Sequence, residues 1–176
     1  MNILVISGSP RKGGNTEIMV QAFAQGAGES GHHVVVKEMS GLKVAPCLAC
    51  EYCFTHDGVC VQKDDMAGIL EEVDRADMLV FASPIYWFGM SAQVKAVIDR
   101  LYARAKKGFR ATKTALLLDS GSPGVFGGAI AQYKDTNAYL KWKEMGIVTI
   151  SGMKAKGDMK NSPALEQARE LGRNLK

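Results

Sequence analysis

Cys47, Cys50, Cys53 and Cys60 are the only cysteines in a chain of 176 residues, and they fall within one stretch of 14. A hydrophobic core gives no reason to gather thiols in one loop. Two successive Cys-x-x-Cys steps followed by a fourth thiol can wrap one compact metal centre. The spacing favours an iron–sulfur cluster, whose four thiolates converge on a small cube. Structural zinc usually takes two Cys-x-x-Cys knuckles about 12–20 residues apart, so zinc here requires a distorted site. A thioredoxin-like dithiol uses two cysteines and leaves two over. A disulfide framework suits small secreted chains, whereas Asn2-Ile3-Leu4-Val5-Ile6 opens as an apolar strand with no basic leader or cleavage site before it. Four reduced, uncoordinated thiols are the plainest alternative. Cys60 is followed by Val61. In the two-cluster ferredoxin run the last cysteine precedes proline and serves a second cluster, so Val61 suits one self-contained centre.

Three further segments carry chemistry. Ser7-Gly8-Ser9-Pro10-Arg11-Lys12-Gly13-Gly14-Asn15-Thr16 puts hydroxyls, glycines and two cations at the start of an expected helix. Free N–H groups and the helix dipole make such a place a phosphate site. It is not a P-loop, because Gly14 and Asn15 follow Gly13 where Lys and Ser or Thr are required. It is not Gly-x-Gly-x-x-Gly either. A nucleoside triphosphate and a tightly bound dinucleotide are therefore disfavoured, and a monophosphate such as that of FMN fits better. The bland alternative is a glycine-rich turn. Ser83-Pro84-Ile85-Tyr86-Trp87-Phe88-Gly89 sets three aromatics in a row at a strand end, poor surface unless something covers them. A flat, amphipathic ring stacks well there; a small second core is the alternative. Ser120 to Gly128 is rich in glycine and serine and suits closure over the ring's far edge, or is simply a flexible loop.

These segments need a scaffold. Apolar runs at Ile3–Ile6, Val34–Glu38, Met78–Ala82, Lys113–Asp119 and Ile147–Ile150 read as strands. Helices are expected from an Asn15 N-cap to about residue 29, from Asp64 or Asp65 to about Arg75, over Ser91–Ala105, over Gly127–Trp142, and from Ser162-Pro163 onward. Five apolar strands alternating with helices predict a parallel sheet covered on both faces. Five strands suit the flavodoxin-like order 2-1-3-4-5, with ligands beyond the carboxyl ends at the switch point. The expectation is one flavodoxin-like domain over 1–176 with an inserted cysteine loop at about 44–61, long enough to imply a function.

Composition fits a globular chain: 47% hydrophobic, 23% charged, and no apolar run near the roughly 20 residues a bilayer span needs. A cytoplasmic protein is expected. The net charge is +4. Its one dense stretch, Arg104 to Arg110 with Lys106 and Lys107, reads as a solvated helix end. No motif accompanies it, so neither nucleic acid nor membrane is an expected partner.

Gly8-Ser-Pro-Arg11 with Asn15-Thr16, and Ser83-Pro-Ile-Tyr-Trp87 with Ser91-Ala92, Lys95 and Ile98-Asp99-Arg100, resemble the NAD(P)H-dependent FMN reductase branch of the flavodoxin-like superfamily. The cysteine loop resembles that of the iron–sulfur flavoproteins within it. The resemblance implies that Ser9, Arg11, Asn15 and Thr16 hold the FMN phosphate. It implies that Pro84, Ile85, Tyr86, Trp87, Phe88 and Gly89 hold the isoalloxazine, with Ser120 and Gly121 on its other side. Cys47, Cys50, Cys53 and Cys60 would bind a [4Fe–4S] cluster. A homodimer or homotetramer is implied, with the cysteine loop of one subunit near the flavin of another. A ferredoxin or NAD(P)H would donate electrons to a small acceptor such as a quinone or oxygen species. No side chain need act as acid or base: Asp99 reads as a surface partner of an arginine, and His32, His33 and His56 as structural or solvated. Rival readings are a cluster-free NAD(P)H:FMN or quinone reductase, a flavodoxin-type carrier, which a pI of about 8.9 disfavours, and a zinc-stabilised binding module.

Overall fold

Ile3 and Val5 enter one hydrophobic cluster and Leu4 and Ile6 another, and all four are at most 1% exposed. This alternation, repeated along three central strands, means a sheet packed on both faces. The computed structural model describes residues 1–176. Its elements are β1 (Asn2–Ser7), α1 (Asn15–Glu29), β2 (His33–Glu38), α2 (Tyr52–Thr55), α3 (Met66–Arg75), β3 (Met78–Tyr86), β4 (Gly89–Met90), α4 (Ala92–Arg100), α5 (Tyr102–Ala105), β5 (Lys113–Asp119), α6 (Gly127–Leu140), β6 (Lys143–Ile150) and α7 (Leu165–Arg173). The parallel order is β2-β1-β3-β5-β6, and the two-residue β4 pairs antiparallel with β3 alone. With that short strand set aside, this is the flavodoxin-like order expected. Residues of α3, α4 and α6 cover one face, and those of α1 and α7 the other. No helix is long and apolar enough to cross a membrane.

The boundaries differ from expectation for local reasons. β3 runs on to Tyr86, because Ser83 and Pro84 stay in register with Leu118 and Asp119 of β5. Residues read as a loop are therefore the end of a strand. The expected 91–105 helix divides at Leu101 into α4 and α5, with Ser91 Oγ accepting from Val94 N–H as N-cap. Lys141 is left-handed (φ 56°) and ends α6 before Trp142, whose N–H returns to Asn137 O. Ser162 and Pro163 form a turn ahead of α7, with Leu165 N–H donating to Ser162 O. Asn15 is the first residue of α1, not its cap; Gly14 occupies the cap position.

Helices α1 and α7 touch backbone to backbone. A Cβ on Gly172 would lie 2.2 Å from Phe23 O, and one on Gly26 2.0 Å from Arg169 O. Carbonyls cannot rotate aside as a side chain can, so the whole crossing would have to widen. Gly172→Ala is expected to cost about 1–3 kcal/mol by overpacking. That should lower Tm by roughly 2–12 °C. An unchanged melting curve would mean that the crossing is loose.

Candidate functional site

The carboxyl ends of β1, β3 and β5 open on one cavity of about 220 Å³. It is lined by Ser9, Arg11, Asn15, Thr16, Pro84, Ile85, Tyr86, Asp119, Ser120, Gly121, Met153 and Lys154. Nine of the twelve positions expected around a flavin are among them. Trp87, Phe88 and Gly89 are not. A larger hollow of about 440 Å³ lies beside Cys60 and Arg104, but only the smaller one sits where the strand order reverses, the usual ligand position in this architecture.

The β1–α1 loop is tightly folded. Gly8 N–H donates to Ala82 O at 2.8 Å, and Ser91 Oγ donates to Gly8 O at 2.7 Å. A Cβ on Gly8 would meet Val94 Cγ2 at 2.0 Å, so only glycine lets the loop lie against α4. Ser9 Oγ accepts from Arg11 N–H at 3.1 Å and turns the chain. The first amide of α1 to find a main-chain carbonyl is that of Ile18, on Gly14 O. The amides of Asn15, Thr16 and Glu17 ahead of it are left for another acceptor.

Two expected phosphate ligands are already engaged within the protein. Asn15 Nδ2 donates to Ala155 O, and its Oδ1 accepts from Gly157 and Met159 N–H. Asn15 thus pins the segment carrying Lys154 onto α1. Thr16 Oγ1 donates to Asp119 Oδ1 at 2.5 Å. Asp119, Met153 and Lys154 were missed from sequence. Asp119 ends an expected strand, which was signal enough to nominate it; nothing in the local pattern marks Met153 or Lys154.

The aromatic segment is a hairpin. Tyr86 pairs with Gly89 across β3 and β4, so Trp87 and Phe88 are its two-residue turn. Both are left-handed, at φ 48° and 65°, as type I′ turns require and as Asn-Gly supplies most readily. Bulky residues there cost about 1–2 kcal/mol each. Trp87 is 95% exposed and Phe88 60%.

Residues 44–61 are held by cations of α4, α5 and the turn after it. Arg100 is 1% exposed; its Nη1 donates to Ala45 O, both Nη atoms reach Asp64, and Nη2 donates to Cys60 Sγ at 3.2 Å. Arg104 grips both oxygens of Asp74 and donates to Gly58 O at 2.6 Å. Lys106 Nζ donates to Phe54 O at 3.1 Å. The basic stretch read as a solvated helix end is, at Arg104 and Lys106, the loop's attachment. Asp99, expected beside an arginine, pairs with Lys95. Burial opposes ionisation of Asp64, but bonds from Arg100, Ala45 N–H and Met66 N–H outweigh it and hold the carboxyl below its usual value.

Cys47 and Cys50 are exposed, and Cys53 and Cys60 half-buried. All four line one small cavity of about 20 Å³. Ala49 and Glu51, on either side of Cys50, are left-handed at φ 51° and 56°. Ala49 N–H donates to Cys47 Sγ at 3.5 Å. Burial pushes the Cys53 thiol up, and the other three sulfurs add to the effect. The sulfurs share one hollow but do not close on a point: no three His, Cys, Asp or Glu side chains meet as a group able to hold a metal ion.

The family model for NADPH-dependent FMN reductase matches residues 1–158. An iron–sulfur flavoprotein of Methanosarcina thermophila is 41% identical over 109 residues, covering 62% of this chain and 56% of that protein. An iron–sulfur flavoprotein of Archaeoglobus fulgidus is 33% identical over 152 residues, covering 85% of this chain and 75% of that one. The match spans about half the length of several of these curated relatives. Among solved structures, an NAD(P)H:quinone oxidoreductase from Methanothermobacter marburgensis superposes with a TM-score of 0.74 at 24% identity. It covers 98% of this chain and 94% of that one, a likeness of fold.

Asp64→Asn leaves Arg100 buried without its counter-charge and is expected to cost about 3–5 kcal/mol in urea denaturation at neutral pH. It should also speed alkylation of Cys60 as the loop detaches. A depressed carboxyl stabilises the fold above its ordinary value and stops doing so as pH falls through its folded value. The gap between native protein and variant should therefore close in acid; a gap constant with pH would contradict the ion pair's role. Separately, Trp87→Asn with Phe88→Gly should raise stability by about 1–2 kcal/mol by relieving the turn, and a lower Tm would show that both side chains are structural.

Proposed function

The chain belongs to the NADPH-dependent FMN reductase family, and on that premise we propose that it is an FMN-dependent oxidoreductase carrying an iron–sulfur cluster on its cysteine loop. The observation that carries the flavin reading is the gathering of nine expected contact positions around one cavity at the switch point. The residues present suit the group. Arg11, Lys154, Ser9 and the unpaired first-turn amides of α1 form an anion site. Ile85 and Tyr86 lead from it to the exposed hairpin, where Trp87 and Phe88 supply a flat apolar surface. Ser120 and Gly121 border the other side. When bound, FMN supplies acceptance of two electrons and their release one at a time. The chain's own residues hold, orient and shield it, and none acts as general acid or base.

Cys47, Cys50, Cys53 and Cys60 are the proposed cluster ligands. The donor set suits them, since the Ala49 amide and the Arg100 guanidinium both point hydrogens at sulfur, and such bonds tune cluster potentials. The relatives named iron–sulfur flavoprotein support the same reading. The donor is NAD(P)H or an acidic ferredoxin, the latter suited to a chain of net charge +4, and the acceptor is a quinone or similar small oxidant. A homodimer or homotetramer in the cytoplasm completes the reading. A cluster-free reductase is favoured by one observation, the failure of the thiols to meet at a point.

Protein purified without oxygen decides between the two. The expected result is FMN with about four irons and four sulfides per chain, the content of one [4Fe–4S] centre. FMN without iron would leave the reductase and remove the cluster. Zinc with no flavin would overturn both.

A further inference from the structure

Thr16 has one hydroxyl proton, and Asp119 holds it. The Oγ1–Oδ1 bond is 2.5 Å, Thr16 is 1% exposed and Asp119 4%, and both line the 220 Å³ cavity. A buried acid is an odd occupant of an anion site, because it repels the ligand and takes a donor from it. The groups facing Asp119 are Arg11 from the β1–α1 loop, Thr16 from α1, Tyr86 from the end of β3, and Lys154 from the segment after β6. Glu17, one turn away, is engaged with Gly13 N–H. Neither cation closes an ion pair with Asp119, whose one hydrogen-bond partner is Thr16. Burial pushes its carboxyl up; the Thr16 bond and the Arg11 charge oppose this without cancelling it.

We propose that Asp119 makes the cavity's affinity for a phosphate monoester proton-linked, one proton being held between its carboxyl and the phosphate whenever the site is filled. The inference rests on the reading of this cavity as the FMN phosphate site. Two anions packed together cannot both keep full charge. With Asp119 ionised, the Thr16 hydroxyl points at it and the phosphate meets a like charge. With Asp119 protonated, the carboxyl becomes a donor and Thr16 is free to turn its hydrogen to the ligand. One proton thus converts two competitors into two ligands. The sign follows: affinity is full while the shared proton is bound and falls as pH rises through its loss. Riboflavin, which lacks the phosphate, escapes the linkage.

The test is flavin binding by fluorescence quenching across about pH 5.5–8.5, with FMN and riboflavin, on native protein and on Asp119→Asn. One linked proton gives an FMN Kd that rises by about tenfold per pH unit at its steepest, against a flat riboflavin profile. Asp119→Asn should flatten the FMN profile and bind FMN at least about tenfold more tightly at the alkaline end. Parallel FMN and riboflavin profiles on native protein would overturn the proposal, even if the variant does not fold. So would a slope that survives in Asp119→Asn, which would belong to the phosphate's own ionisation near pH 6. Binding of neither flavin at any pH would overturn the cofactor reading and this inference with it, whereas pH-independent FMN binding overturns the inference alone.

Discussion

Burial of β1, β3 and β5 on both faces is the constraint from which the rest follows. Their side chains alternate between two apolar clusters, so the strands themselves offer no polar group to a ligand along their length. Every hydroxyl, amide and charge available for chemistry is pushed to the strand ends. At the carboxyl ends the loops diverge, because β2 and β3 lie on opposite sides of β1. The cavity is the gap that this divergence leaves. Gly8 shows how tightly the geometry is held, since its missing side chain lets the first loop rest on α4 and sets the position of everything from Ser9 to Thr16.

The cysteine loop is positioned by a different force. It has no strand of its own and one short helix, so little apolar burial holds it. Arg100, Arg104 and Lys106 bond its carbonyls at Ala45, Gly58 and Phe54 instead. Burying Arg100 is tolerable because Asp64 answers it with both oxygens. Such a pair adds little net stability over apolar packing. It does fix direction, and here it aims an Nη2 hydrogen at Cys60, while the buried Nε of the same guanidinium is left without a partner. The same residue therefore ties the loop to α4 and sets charge beside one of its sulfurs.

Periodicity made the strands legible, because an apolar run bounded by turns leaves few alternatives, and strand order followed from their number. The cavity's first two walls were legible for a related reason: glycines, hydroxyls and aromatics at strand ends have no business in a core. What sequence hid were pairings between distant positions. Thr16 meets Asp119 across 103 residues, and Arg100 meets Asp64 across 36. Neither partner carries a local mark of the other. The roles of Asn15 and Arg104 were misread likewise, as helix cap and solvated charge, because each is defined by a carbonyl far away in the chain.

The exposed apolar surface gives the last step. Of nine large hydrophobic residues left exposed, Leu48, Tyr52, Val59, Val61 and Tyr102 lie on or against the cysteine loop, and Tyr86, Trp87 and Phe88 on the hairpin. Scattered exposure of this kind is ordinary, but two concentrations beside the two sites are not. The hairpin adds backbone strain to exposure, two costs that an Asn-Gly turn with polar flanks would avoid together. A fold that bears both at one point is arranged for a surface that arrives later, whether a flat ring or another subunit. The same logic applies to Asp119, a buried acid left without a cation while Arg11 and Lys154 stand in the same cavity. The strained hairpin closes the end of β3 and Asp119 is the last residue of β5, so these two departures from the best isolated fold both sit at the carboxyl edge of the sheet that borders the cavity.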